Sequence, residues 1–161
     1  MRWTAVPTPI GDLGVAAVGE RLARITFGGP PVGPEGPAGR DDLLAEAAAQ
    51  LSGYFAGERT TFDLPLEPDG GSAFERAVWA VLGEIPFAEM RTYGEVAAAV
   101  GDLDAARAVG IACNRNRLPI VLPCHRVVGA GGKLVGFGGG LARKRFLLEL
   151  EARVRIEHDF G

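Results

Sequence analysis

Histidine and cysteine are scarce in this chain of 161 residues, which has two of each: His125 and His158, Cys113 and Cys124. Two cysteines cannot build a disulfide framework, and with two histidines they make a poor four-ligand zinc site, so a reducing compartment and no metal are expected. No stretch approaches the roughly 18 consecutive apolar residues of a membrane span. The N-terminus also lacks a basic segment followed by an apolar run of signal-peptide type. The expectation is a soluble, cytoplasmic protein with no membrane partner and no cofactor. Acid is missing from one long stretch. Ala105 to Leu148 holds Arg107, Arg115, Arg117, Arg126, Lys133, Arg143, Lys144 and Arg145 without a single Asp or Glu, although the whole chain has a net charge of -3. Residues 1–70 carry 5 Lys/Arg against 10 Asp/Glu, and residues 71–161 carry 12 against 10. Such a stretch is either an electrostatic footprint for phosphate or a solvated basic face balanced by the acidic half.

Hydrophobic residues make up 47% of the sequence, enough for a real core. Residues 1–28 alternate loosely between Pro and Gly turns, which predicts short strands in a meander. Gly28 to Gly39 holds five glycines and four prolines and reads as a loop or mobile connection. Asp41 caps a helix to about Ala56, in which Leu43, Leu44, Ala47, Leu51 and Phe55 recur at helical spacing and which Gly57 ends. Leu64 to Gly71 reads as a linker. Ser72-Ala-Phe-Glu75 is a capping box opening a helix to about Leu82, and Thr92-Tyr-Gly-Glu95 opens another through Val100. A glycine turn at Gly101 then leads into a third helix, about Ala105 to Cys113. This pair is either a helix-turn-helix or an ordinary helical hairpin. Small residues, Ala105, Ala106, Ala108, Gly110 and Ala112, let this last helix approach a DNA groove or a neighbouring helix, with Arg107 projecting from it. After a turn at Gly129 to Lys133, Leu134-Val135 reads as a short strand, and a helix runs from about Leu141 to Arg153. The two glycine-rich loops before that helix fit no nucleotide fingerprint.

Between the third helix and the Gly129 turn lies Leu118 to Val128, Leu-Pro-Ile-Val-Leu-Pro-Cys-His-Arg-Val-Val. Ile120 to Leu122 reads as a buried strand ended by Pro123, which has no N–H for a ladder. Cys124 becomes a strong nucleophile only as a thiolate, and His125 or Arg126 could favour that form. Neighbouring side chains on an extended segment point to opposite faces, so cooperation between Cys124 and His125 requires a turn or a bridging water. A buried structural cysteine is an equally physical reading. Asn116 is most simply a turn residue, and Glu151 either orients a histidine or is solvated.

The pattern as a whole goes further. Pro123-Cys-His-Arg-Val127 follows Asn116 and Pro119, with Ala105-Ala-Arg107-Ala-Val-Gly110 upstream. Gly136-Phe-Gly-Gly-Gly-Leu-Ala-Arg-Lys144 and Leu147-Leu-Glu-Leu-Glu151 come downstream. In this, residues 72 to 153 resemble the O6-alkylguanine-DNA alkyltransferases. Tyr54-Phe-Ala-Gly-Glu58 and Phe62-Asp-Leu-Pro-Leu66 resemble parts of that family's N-terminal domain. The resemblance implies a two-domain α/β protein: a ribonuclease-H-like α/β scaffold at 1–70, and at 71–161 a mostly helical, winged-helix-like domain with a helix-turn-helix and an active-site loop. It implies direct reversal of DNA damage, in which Cys124 irreversibly takes the alkyl group from O6-alkylguanine, and from O4-alkylthymine, after the base is flipped out of duplex DNA. His125 matches the base that reaches the thiol through a water, Glu151 the carboxylate behind it, and Asn116 the residue that orders the turn. Tyr93 matches a tyrosine that crowds a phosphate and donates toward guanine N3. Arg107 matches the arginine that fills the vacated stack, with Ala106, Arg115 and Arg117 beside it in the minor groove. Pro119 and Phe137 would wall the base pocket, the Gly138 N–H would face O6, and the carbonyls of Cys124 and Val127 would accept from the exocyclic amine. Lys144 would assist the thiolate. The family's form implied is a monomer, with cooperativity along DNA left open. Two departures stand out: Arg117 follows Asn116 where proline is frequent, and Phe137 replaces a frequent tyrosine. The rival readings are a silent alkyltransferase-like protein, a winged-helix regulator and a thiol hydrolase.

Overall fold

The computed structural model describes residues 1–31 and 41–160, which form two compact units, Met1–Asp69 and Gly70–Gly161. In the first, strands β1 (Arg2–Val6), β2 (Leu13–Val18) and β3 (Arg21–Phe27) make an antiparallel meander in that order, and helix α1 (Asp42–Phe55) packs on it. The pairing sets Val6 opposite Leu13 and Val15 opposite Ile25. Leu13, Val15, Ala16 and Ala17 are all fully buried, so the central strand is covered on both faces rather than alternating. Asp41 caps α1 by accepting from the Leu44 N–H at 3.1 Å. Tyr54 closes the core beneath α1 with Phe62 5.6 Å away.

The segment expected as a linker is instead part of this unit. Leu22 N–H donates to Pro65, and Glu67 and Asp69 donate back to Leu22 and Ala23, at 2.8 to 3.0 Å, so residues 65–69 lie along β3 as a fourth line of backbone. Arg24 pairs with Asp69 at 2.7 Å on the same seam. The Gly/Pro-rich stretch lies outside the described residues from position 32 onward.

The second unit is built on helices α2 (Ala73–Leu82), α3 (Tyr93–Ala99), α4 (Ala106–Asn114) and α5 (Leu141–Phe160). Both expected capping boxes form, Ser72 with Glu75 and Thr92 with Glu95. Helices α2, α3 and α4 pack on one another, and the Trp79 indole N–H ties α2 to the Ala112 carbonyl of α4 at 2.9 Å. Helices α3 and α4 follow one another across a turn as expected, and two-residue strands β4 (Arg91–Thr92) and β5 (Val127–Val128) pair in parallel beside them. Helix α5 runs seven residues past the expected end at Arg153, because nothing after that point breaks it and Arg155 can pair with Asp159 one turn on, at 3.7 Å. Leu134 and Val135 do not form the expected strand; the two-residue strand lies at Val127–Val128.

Candidate active site

The largest correction falls on the reactive segment. Ile120 to Leu122 is a tight turn, not a strand: the Leu122 N–H returns to the Leu118 carbonyl at 2.8 Å, and Ile120 sits at φ 76°. A left-handed β-branched residue is strained, which costs on the order of 1–3 kcal/mol. Asn116 holds it there. Its side-chain oxygen accepts from the Leu118 N–H at 3.0 Å and its amide donates to the Leu122 carbonyl at 2.7 Å, giving the turn the partners a neighbouring strand would have given. Pro123 then makes an inverse γ-turn (φ -80°, ψ 71°), closed by the Cys124 N–H on the Leu122 carbonyl at 2.8 Å. Cys124–Arg126 continue as a single 3₁₀ turn. At three residues per turn, consecutive side chains diverge by about 120° rather than 180°, so Cys124 and His125 are no longer on opposite faces.

His125 is fully buried, and its Nε2 lies 2.6 Å from Glu151 Oε2. Its other ring nitrogen, Nδ1, is buried without a hydrogen-bond partner among the described residues. Burial lowers the imidazole pKa below its ordinary value, Glu151 opposes that, and Arg126 and Lys144 reinforce it. A neutral ring giving its Nε2–H to the carboxylate leaves Nδ1 as a bare acceptor, which is what a base requires. Glu151 also takes hydrogen bonds from Arg126 Nε (2.8 Å) and Nη2 (3.0 Å) and from the Ala88 N–H (3.1 Å). Burial alone would push its carboxyl up, but His125 and Arg126 together outweigh that and hold it at about 2.

Burial also pushes the Cys124 thiol up to about 11, against the hydrogen bond from Asn116 and the charge of Lys144. Cys113, without the Asn116 contact, is pushed to about 12. The resting thiol of Cys124 is therefore protonated, and it could act as a nucleophile only by giving up that proton. Lys144 is fully buried; its ammonium donates to the carbonyls of Val127 (2.6 Å), Val135 (3.2 Å) and Gly136 (3.2 Å) and lies 5.7 Å from the Tyr93 ring centroid. The Val127 carbonyl thus already accepts one hydrogen bond. The Tyr93 hydroxyl donates to the Val135 carbonyl at 2.9 Å, and burial pushes its pKa to about 12.

Of the remaining residues singled out in the sequence, Pro119 and Val127 are buried beside the thiol segment, Phe137 is half-buried and Gly138 is exposed. A Cβ on Gly138 would stand 3.1 Å from the Asn114 carbonyl, so the 136–138 loop lies tight on the C-terminus of α4. Arg107 and Ala106 sit at the other end of α4, Arg107 exposed and about 10 Å along the axis from Asn114. Arg115 is exposed at the C-cap of α4, 3.7 Å from Glu75, and Arg117 is half-buried. Two members of the basic stretch are not surface charge: Arg126 is 6% exposed and Lys144 is fully buried, so neither can belong to a phosphate footprint. Sequence reading missed Ala88 and Asn114 as parts of the site, and it set Arg126 beside the Cys124 thiol rather than on Glu151. Arg126 adjoins His125 in the chain, but its partner lies 25 residues away and no local pattern announces it.

A buried cysteine, a histidine fixed by a buried carboxylate and two short helices joined by a turn thus lie together in one small unit. Residues 73–153 match the family described as 6-O-methylguanine DNA methyltransferase, DNA binding domain, and residues 1–68 match its ribonuclease-like domain. The chain belongs to this methylated-DNA–protein-cysteine methyltransferase family. It is 44% identical over 154 residues to the methylated-DNA–protein-cysteine methyltransferase of Methanosarcina acetivorans, covering 94% of this chain and 98% of that one. It is 46% identical over 149 residues to the same-named protein of Mycobacterium leprae, covering 91% and 90%. The crystal structure of Mycobacterium tuberculosis OGT in complex with DNA superposes with a TM-score of 0.84 at 41% identity, covering 96% of this chain and 94% of that chain.

Proposed function

We propose that this protein repairs DNA by transferring the alkyl group of O6-alkylguanine, and of O4-alkylthymine, irreversibly to its own Cys124. The orphaned, buried Nδ1 of His125 carries this reading, because a ring locked by Glu151 keeps a lone pair unused in the same 3₁₀ turn as a thiol that burial keeps protonated. The thiol proton passes to His125 through a water, and the sulfur attacks the alkyl carbon. The S–C bond forms as the C–O6 bond breaks, and the departing guanine oxygen is stabilised by the Gly138 N–H while a proton reaches the ring nitrogen from the Tyr93 side. Asn116 and Lys144 favour the negative sulfur. A thioether is not readily cleaved, so each molecule reacts once.

The base must leave the duplex to reach a buried sulfur. Arg107, exposed on α4 among small residues, would fill the vacated stack from the minor groove, with Ala106, Arg115 and Arg117 along the backbone. Pro119 and Phe137 would wall the extruded base. The protein acts in the cytoplasm as a monomer. Incubation with duplex containing O6-methylguanine should add one methyl mass to the Cys124 peptide, once per molecule, and Cys124→Ala should abolish it. A peptide that stays unmodified, or methyl found on Cys113, sinks the proposal.

A further inference from the structure

We infer that Arg126 is a positioning residue: by occupying the Glu151 carboxylate with its guanidinium fork, it keeps His125 neutral, with its proton on Nε2 and its bare Nδ1 available to the thiol. The inference rests on the alkyl-transfer reading and deepens it. Geometry carries it first. Arg126 bonds both carboxylate oxygens, Nε to Oε1 at 2.8 Å and Nη2 to Oε2 at 3.0 Å, while His125 Nε2 shares Oε2 at 2.6 Å. Its third nitrogen, Nη1, is anchored separately on the Ile85 carbonyl at 2.6 Å, and the guanidinium lies 5.6 Å from the Phe87 ring centroid. The fork is therefore fixed from the 85–88 loop and does not merely follow the carboxylate. That loop adds the Ala88 N–H on Oε1, aimed by a left-handed Ala88 at φ 61°.

The charge count explains what this does. With His125 neutral, Arg126 and Glu151 cancel. Adding a proton to the imidazole would make the cluster positive in a site where His125, Arg126 and Glu151 are 0%, 6% and 1% exposed. The charged groups acting on His125 are Glu151 and Lys144 from α5 and Arg126 from its own turn, while α2, packed on that turn, buries Val78, Trp79 and Leu82. A second ammonium, that of Lys144, thus opposes the imidazolium too. Glu151 alone would have drawn a proton onto the ring and blocked Nδ1; compensated by Arg126, it fixes the tautomer without doing so. A lysine could supply the charge but not the planar two-point grip.

The test has two arms. Nitrogen-15 NMR of His125 in the DNA-free protein should show a neutral ring with its proton on Nε2 at neutral pH, and a doubly protonated ring there would overturn the inference. Single-turnover methyl transfer measured against pH should keep its acid limb well below neutrality in the wild type. In Arg126→Gln that limb should move up by about one pH unit or more, the effect of removing a nearby like charge. In Arg126→Lys the limb should stay nearer the wild-type position while the rate falls at every pH by about tenfold, one charged hydrogen bond. If Arg126→Gln slows transfer equally at all pH values, the residue is only structural and the inference fails. A wild type that transfers no methyl group defeats the repair reading instead, and leaves the NMR result standing on its own.

Discussion

Replacing Asn116 by alanine removes one side chain that serves two backbone groups. The Leu118 N–H and the Leu122 carbonyl, in residues 0% and 8% exposed, lose partners at 3.0 and 2.7 Å, but the carbonyl keeps the Cys124 N–H at 2.8 Å, so only the Leu118 N–H is stranded. An unpartnered buried polar group costs about 1–3 kcal/mol and the loss of one of two hydrogen bonds about 1 kcal/mol, so together they cost about 3 kcal/mol. Relaxation of the turn would return about 1 kcal/mol of the strain at Ile120, leaving a net loss of about 2 kcal/mol. For a chain of this length that lowers the melting temperature by about 4–8 °C. The thiolate also loses a hydrogen bond, and one to a charged group is worth about 1.5–3 kcal/mol, so methyl transfer should slow by about 10- to 100-fold. Asn116→Asp separates the two effects. It keeps the acceptor for the Leu118 N–H but sets a negative charge against both the Leu122 carbonyl and the sulfur, so it should be slower than alanine. Thermal denaturation and single-turnover kinetics on O6-methylguanine duplex measure both quantities. An alanine variant that melts within a degree of wild type, or an aspartate variant as fast as wild type, would refute the clamp.

Two further outcomes are expected. Glu151 is held at about 2 against 4.5 for a free carboxyl, so its stabilising contribution is complete above pH 4.5 and is lost as pH falls through the folded value. His125, whose pKa is lowered, acts in the same sense near its own range. Glu151→Gln should be less stable than wild type at pH 7 and should show a flatter loss of stability from pH 5 toward 2 in denaturant titrations; parallel acid limbs would contradict the assignment. Arg107→Ala should weaken repair of duplex far more than reaction with the free base, which needs no flipping, and equal losses on both substrates would remove its stack-filling role.

The capped helices were legible because their signals are local. Ser72 with Glu75 and Thr92 with Glu95 each complete a cap within four residues, and the structure forms both. The apolar run Ile120 to Leu122 was misread because hydrophobicity reports burial, not dihedral angles, and what bends this run is a side chain several residues earlier. Lys144 and Arg126 fall within the basic stretch although both are buried, and their place near the thiol carries no hint of their partners, the carbonyls of 127, 135 and 136 and the Glu151 carboxylate, which tertiary folding brings in. Residues 65–69 read as a linker because their hydrogen bonds reach back more than forty positions to β3. The chemical roles of Cys124, His125 and Glu151 came from the family resemblance; composition and spacing alone left a buried cysteine equally open.

The lysine under the loop has a consequence for how the protein could be observed at work. Its ammonium is capped by carbonyls from two separate segments and has no exposed surface, so an amine-reactive reagent can find it only while residues 135 and 136 are lifted away. Acylation of Lys144 is therefore a clock for breathing of the site wall: its rate, compared with that of the exposed Lys133, counts openings of the 135–136 loop.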